Sequence, residues 1–133
     1  MTGTLLGYGE WHLCEPFRSS NDRGDLAALL PLDGFGSDAA RVIVVTNVPP
    51  DAVRGGHGHK VARQAIHPVT GTFDVLIGLS SDPSQTEVVH LSAASPTLVA
   101  GPGVWLWLQS FSADAVAVEL FDQPHDPTEL IES

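Results

Sequence analysis

"GTFDVLIGLSSDPSQTEVVHLS", residues 71–92, holds two apolar, β-branched runs on either side of a polar break. The break, "SSDPSQ" (80–85), is built from Ser, Asp and Pro, residues that favour a turn over continued regular structure. "GTFDVLIGL" (71–79) and "TEVVHLS" (86–92) are each short enough and rich enough in Val, Ile, Thr and Phe for a strand. The stretch therefore predicts an antiparallel hairpin. Asp74 alternates with apolar neighbours, which places it toward solvent or the opposite sheet.

The same signature recurs on both sides of the hairpin. "RVIVVTNV" (41–48) ends at Pro49-Pro50. "PTLVAGPGVWLWLQSF" (96–111) reads as two short strands broken at Gly101-Pro102-Gly103, and "AVAVELF" (115–121) as a last strand. His67 precedes Pro68 within another extended run, where proline implies an edge or a bulge and a structural histidine. Helix signals are scarce. "DLAALL" (25–30) reads equally as a helical turn or a strand, and "DPTELI" (126–131) as a short terminal helix, with Asp, Pro and Glu at its start. Short strands at regular spacing predict an all-β sandwich or barrel, a single domain over residues 1–133.

Composition narrows the partners. The formal net charge of −10 argues against nucleic acid, which needs a basic surface. No apolar run approaches the ~20 residues of a membrane span, and "MTGTLLGYGEW" lacks the pattern of a secretory signal, so a cytoplasmic protein is expected. Cys14 is the single cysteine, so no intrachain disulfide forms; it reads as a small packing group. Tyr8 and Trp11 also read as packing, and His12, His90 and His125 as surface groups.

Against that acidity, four of the six Lys and Arg residues lie in or just upstream of "VRGGHGHKVARQ" (53–64): Arg41, Arg54, Lys60 and Arg63. In an extended strand His57 and His59 share a face, with Gly56 and Gly58 leaving space beside them. Spacing alone leaves two readings: the beginning of a site in a barrel lumen, or two histidines in a glycine-rich surface loop. A divalent metal would need further N/O ligands beyond the pair. Trp105 and Trp107 alternate with Leu106 and Leu108; they read as barrel core or as an aromatic wall of a site.

Gly-x-His-x-His, then Gln64 and, six residues further, Gly71, resembles the first motif of the cupin superfamily, with the second falling at "GPGVWLWLQS". Gln64 stands where the first motif has its carboxylate and Leu106 where the second has a histidine. The resemblance therefore implies a cupin without metal or other cofactor. A narrower likeness rests on "DRGDL" (22–26), "RVIVVTNVP" (41–49), "RGGHGHK" (54–60), "GTFDV" (71–75), "PGVW" (102–105) and "FS" (111–112). Their order and spacing resemble the WxcM-like sugar 3,4-ketoisomerases, metal-free cupins that act on dTDP-4-keto-6-deoxyglucose.

That resemblance implies a cupin-type antiparallel β-barrel (jelly roll), and a homodimer in which residues 4–14 reach the partner. It implies an isomerase that moves the ketone of a nucleotide-linked sugar from C4 to C3 through an enediolate. His57 and His59 would be the acid/base pair, with either as the base. From the residues themselves, Arg23 and Arg41 are the candidates for contact with the diphosphate, Arg41, Arg54 and Gln64 the candidates for stabilising the oxyanion, and Trp107 a candidate to stack on the substrate. Departures are local: Ile43, Val44, Val45 and Thr46 replace aromatic residues, and "PHDPTELIE" (124–132) replaces a tyrosine-rich tail. They keep two alternatives open, a divergent cupin enzyme for a non-sugar keto substrate and a non-catalytic binding cupin.

Overall fold

The computed structural model describes residues 4–131. In chain order the strands are β1 (Trp11–Cys14), β2 (Phe17–Asn21), β3 (Gly24–Ala28), β4 (Arg41–Thr46), β5 (Arg54–His59) and β6 (Gln64–Thr70). They continue as β7 (Thr72–Gly78), β8 (Glu87–Ser92), β9 (Thr97–Ala100), β10 (Trp105–Gln109), β11 (Val116–Phe121) and β12 (Leu130–Ile131). Two five-stranded antiparallel sheets face each other, in the orders β1-β9-β6-β11-β4 and β12-β5-β10-β7-β8; β2 and β3 form a separate hairpin.

The 71–92 hairpin forms as its sequence predicts, with Thr72 opposite Ser92 and Ile77 opposite Glu87. Its turn contains one 3-10 turn, Pro83–Gln85, capped by the Asp82 side chain accepting from the Ser84 backbone N–H. Asp74 takes the solvent side, hydrogen-bonded across the ladder to His90 at 2.5 Å. "DLAALL" resolves as strand through Ala28. The strands at 97–100 and 105–109 do not pair with each other, because Gly101–Gly103 carries the chain from one sheet to the other.

Period-two alternation decides what lies between the sheets. Phe73, Val75 and Ile77 of β7, Leu106 and Leu108 of β10, Ile66 of β6 and Ala117 of β11 point inward and make one continuous core. The outer face of the first sheet is covered by the 29–39 segment, with Leu32 and Phe35 packed on Ala65, Val99 and Leu120. Cys14 joins that second cluster, as a small packing group should. Pro68 sits on β6 beyond the stretch paired with β9 and next to a register shift opposite β11, so its missing N–H breaks no ladder. His67 is buried there, with Nδ1 2.9 Å from the Thr97 hydroxyl.

Two readings need correction. The terminal helix is a single 3-10 turn, Pro127–Glu129, and Leu130 and Ile131 continue as strand β12 against Gly58 and His59. Three residues cannot propagate a helix, and a free sheet edge offers Leu130 and Ile131 better backbone partners. Second, Trp105 and Trp107 lie on the outer face of the second sheet, not between the sheets. Their rings stack there at 6.0 Å over Gly56 and Gly58, where a Cβ would meet the indoles. These glycines make room for tryptophan on one face, not for a ligand beside the histidines on the other. Among the described residues no helix is long and apolar enough to cross a membrane.

Candidate active site

At one end of the barrel the apolar filling stops and a cavity of about 240 Å³ opens. The first sheet supplies Arg41 and Ile43 from β4, Gln64 from β6, and Glu119 and Phe121 from β11. The second supplies Arg54, His57 and His59 from β5, and Leu106 and Leu108 from β10. The 123–130 segment closes one side with His125, Asp126 and Glu129.

Strand β5 reaches this position through its glycines. Gly55 and Gly56 have φ of +87° and +84°, a region side chains avoid, and the ladder to β10 shifts register there: Leu106 faces His57, but Trp107 faces Gly55. A Cβ at Gly55 would lie 2.7 Å from the Leu106 carbonyl oxygen. Past this bulge His57 and His59 share the inward face, as their spacing predicts.

His59 is the better-held of the two. Its Nδ1 lies 2.7 Å from Glu129 Oε2, and its ring packs at 5.4 Å on Phe121. The other carboxylate oxygen of Glu129 accepts the backbone N–H groups of Val61 and Ala62, at 3.1 and 2.7 Å. Burial pushes the Glu129 carboxyl up, but the hydrogen bonds from His59, Ala62 and Val61 outweigh it and hold the group below its ordinary value. An ionised carboxylate only accepts, so His59 Nδ1 carries the proton and Nε2 is left as the basic nitrogen. His57 is exposed at the cavity mouth and bonds no side chain among the described residues.

The cluster of positive charge divides by role. Arg41 lies over the Phe121 ring at 5.3 Å, and both Arg41 and Arg54 line the cavity. Arg63 instead ties the fold together: it donates to the Leu6 carbonyl at 2.7 Å and pairs with Asp122 at 3.2 Å. Lys60 donates to the Thr128 carbonyl. Gln64 is buried at 5% exposure and lines the cavity.

Two expected substrate contacts are not brought here. Arg23 is exposed in the tight β2–β3 turn, its backbone N–H bonded to Asn21, and does not line the cavity. Trp107 points to the opposite face of its sheet, because Leu106 and Leu108 take the inward positions. Sequence reading missed Glu119, Phe121 and Glu129; His125 is exposed, as expected of a surface group, and lies at the cavity rim. Glu119 carried a legible signal, an acidic residue inside an otherwise apolar strand. Glu129 carried none, since its meeting with His59 spans 70 residues of sequence.

The two antiparallel sheets make a cupin-type barrel, and its open end gathers inward-facing His, Gln and Arg side chains. This chain belongs to the FdtA family (WxcM-like, C-terminal), whose model matches residues 11–133. It is 26% identical over 111 residues to the TDP-4-oxo-6-deoxy-α-D-glucose-3,4-oxoisomerase of Aneurinibacillus thermoaerophilus, covering 84% of this chain and 78% of the relative. A double mutant of the QdtA 3,4-ketoisomerase from Thermoanaerobacterium thermosaccharolyticum, in complex with TDP, is 25% identical. It superposes with a TM-score of 0.78 over 91% of this chain and 86% of that one. A 3,4-ketoisomerase from Helicobacter canadensis shares the fold at 21% identity, with a TM-score of 0.80 over 93% and 91% of the two chains.

Proposed function

We propose that this chain is a nucleotide-sugar 3,4-ketoisomerase, acting on a TDP-linked 4-keto-6-deoxy sugar by histidine-mediated proton transfer. The observation that carries the reading is the His59–Glu129 pair inside a cavity that also presents Arg41 and Arg54. The curated relative bears the same reaction in its name. His59 Nε2 removes the proton at C3, made acidic by the C4 carbonyl. Glu129 stabilises the imidazolium that forms, and the histidine pair returns a proton to C4. Arg54 and Gln64 stabilise charge on the enediolate, and Arg41 contacts the diphosphate.

We assign this chemistry no metal. Gln64 and Leu106 replace two ligands of metal-binding cupins, and no group of three or more His, Cys, Asp or Glu among the described residues is arranged to hold an ion. We also propose a homodimer built on the N-terminal segments. Phe17 and Leu26 of the β2–β3 hairpin and Val42 and Val44 of edge strand β4 are exposed apolar residues that a second copy would cover. A nucleotide-sugar substrate and a lone cysteine fit the cytoplasm. A non-sugar keto substrate is the second reading, favoured by the apolar wall of Ile43, Leu106, Leu108 and Phe121.

The test is NMR of the protein with TDP-4-keto-6-deoxyglucose in D₂O. Deuterium entering at C3, with appearance of the 3-keto product, is the expected result; an unchanged spectrum at high enzyme concentration overturns the reading.

A further inference from the structure

The isomerisation moves two kinds of proton, and the histidine pair accounts for one kind. A C3–H bond breaks and a C4–H bond forms. In the same turnover the C3 hydroxyl must lose its proton and the C4 carbonyl oxygen must gain one. O3 and O4 are vicinal, so a carboxyl group, with two adjacent oxygens, is shaped to serve both.

Glu119 is such a group in the right place. Strand β11 presents it inward between Ala117 and Phe121, with Ile43 and Ile66 as its cross-strand partners. It lines the cavity from the first sheet, whereas His57 and His59 line it from the second. A sugar ring bound between the walls would have the histidines on one side and Glu119 on the other. Nothing else occupies the carboxyl: no hydrogen bond or salt bridge holds it among the described residues. The half-buried carboxyl opens on the cavity, where a bound substrate can reach both of its oxygens.

We propose, resting on the ketoisomerase reading, that Glu119 is a catalytic residue that carries the oxygen-to-oxygen proton transfer. As the neutral acid it gives its proton to O4, and its second oxygen takes the proton from O3. The balance closes without a co-reactant. His59 takes the C3 proton, and the C3–H electrons form the C3–C4 double bond as the carbonyl electrons move to O4, which is protonated by Glu119. The Glu119 carboxylate then accepts the O3 proton, the C3 carbonyl forms, and the C3–C4 electrons take a proton at C4 from the histidine pair. Glu119 ends neutral, as it began.

The surroundings shift Glu119 toward that starting form. Burial pushes the Glu119 carboxyl up from its ordinary value, while Arg54, Arg41 and His59 pull it back. A substrate diphosphate on Arg41 would relieve part of that pull.

The experiment compares wild type with Glu119→Gln and Glu119→Asp, following product formation and C3 deuterium uptake together, with TDP titrations as the binding control. Gln keeps the shape and can bond O4 but cannot shuttle protons. The expected result for Glu119→Gln is isomerisation reduced about 100-fold or more, the scale of general acid–base catalysis. C3 exchange should fall by less than about tenfold and TDP affinity by less than about threefold. Glu119→Asp should recover part of the isomerisation. A Glu119→Gln variant that isomerises like wild type overturns the proposal, and so does equal loss of exchange and isomerisation, which would place Glu119 at the carbon step. Wild type that neither exchanges nor isomerises defeats the ketoisomerase reading itself, an outcome distinct from an active wild type beside an equally active variant.

Discussion

Replacing Glu129 with Gln tests the chemistry of the His59 pair with the smallest change in shape. In the native site one carboxylate oxygen faces His59 Nδ1 at 2.7 Å, and the other accepts from Val61 and Ala62. A glutamine has one oxygen. If it keeps the two backbone donors, its NH₂ group must point at Nδ1. The ring then presents a lone pair at Nδ1 and carries its proton on Nε2, and the base is gone. Loss of a partner that only orients the ring costs about 10–100-fold. Inverting the tautomer of a catalytic histidine costs up to about 10⁴-fold. The expected fall in kcat is therefore about 10²–10⁴-fold, with KM and TDP affinity little changed. Stability should fall by about 1–2 kcal/mol, because a charge-assisted bond becomes a neutral one. The sign with pH follows from the depressed Glu129 carboxyl. Its contribution is complete above the usual glutamate range and is lost as pH falls through the lower folded-state value, so the two proteins should converge in acid. Turnover is read by NMR and stability by urea unfolding. A variant within about threefold of wild-type kcat, or one whose whole defect is in KM, would refute the assignment of His59 as a carboxylate-held base.

His59→Asn should lower turnover about 10²–10⁴-fold and His57→Asn less, since only His59 is fixed by a carboxylate; steady-state rates in the reverse order would assign the base to His57. Gly58→Ala should cost about 1–3 kcal/mol in urea unfolding, because the new Cβ would lie 2.7 Å from Trp105 Nε1; unchanged stability would show that the indoles yield freely. The Glu119 carboxyl is raised, so its ionisation weakens the fold as pH rises through that value; Glu119→Gln should melt higher than wild type at neutral pH and lose the advantage in acid. A neutral-pH melting point below wild type would contradict this. Activity should survive prolonged chelation, and a loss restored by added divalent metal would disprove metal independence.

Much of the barrel was legible in local sequence because strand, turn and hairpin signals act over a few residues. The 71–92 hairpin, the break at Gly101–Gly103 and the shared face of His57 and His59 all follow from period-two alternation and turn chemistry. The four-fold gathering of Lys and Arg near the histidines was also visible, but not its division of labour. Arg63 and Lys60 hold carbonyls of distant segments, Leu6 and Thr128, while Arg41 and Arg54 reach the cavity. Alternation shows that Trp105 and Trp107 share a face; it does not show which face, since both faces of that sheet bury side chains. A three-residue 3-10 turn followed by strand is likewise indistinguishable locally from a short helix, until the free edge of β5 recruits Leu130 and Ile131.

The sequence by itself determined the strands, their turns and the type of chemistry that two histidines near arginines can do. Only the tertiary structure decided which groups meet. Closing the two sheets brings Glu129 across 70 residues to His59 and sets Glu119 on the wall opposite the pair. Such encounters depend on sheet order and register, which are set by the packing of all the strands together and are written in no single segment.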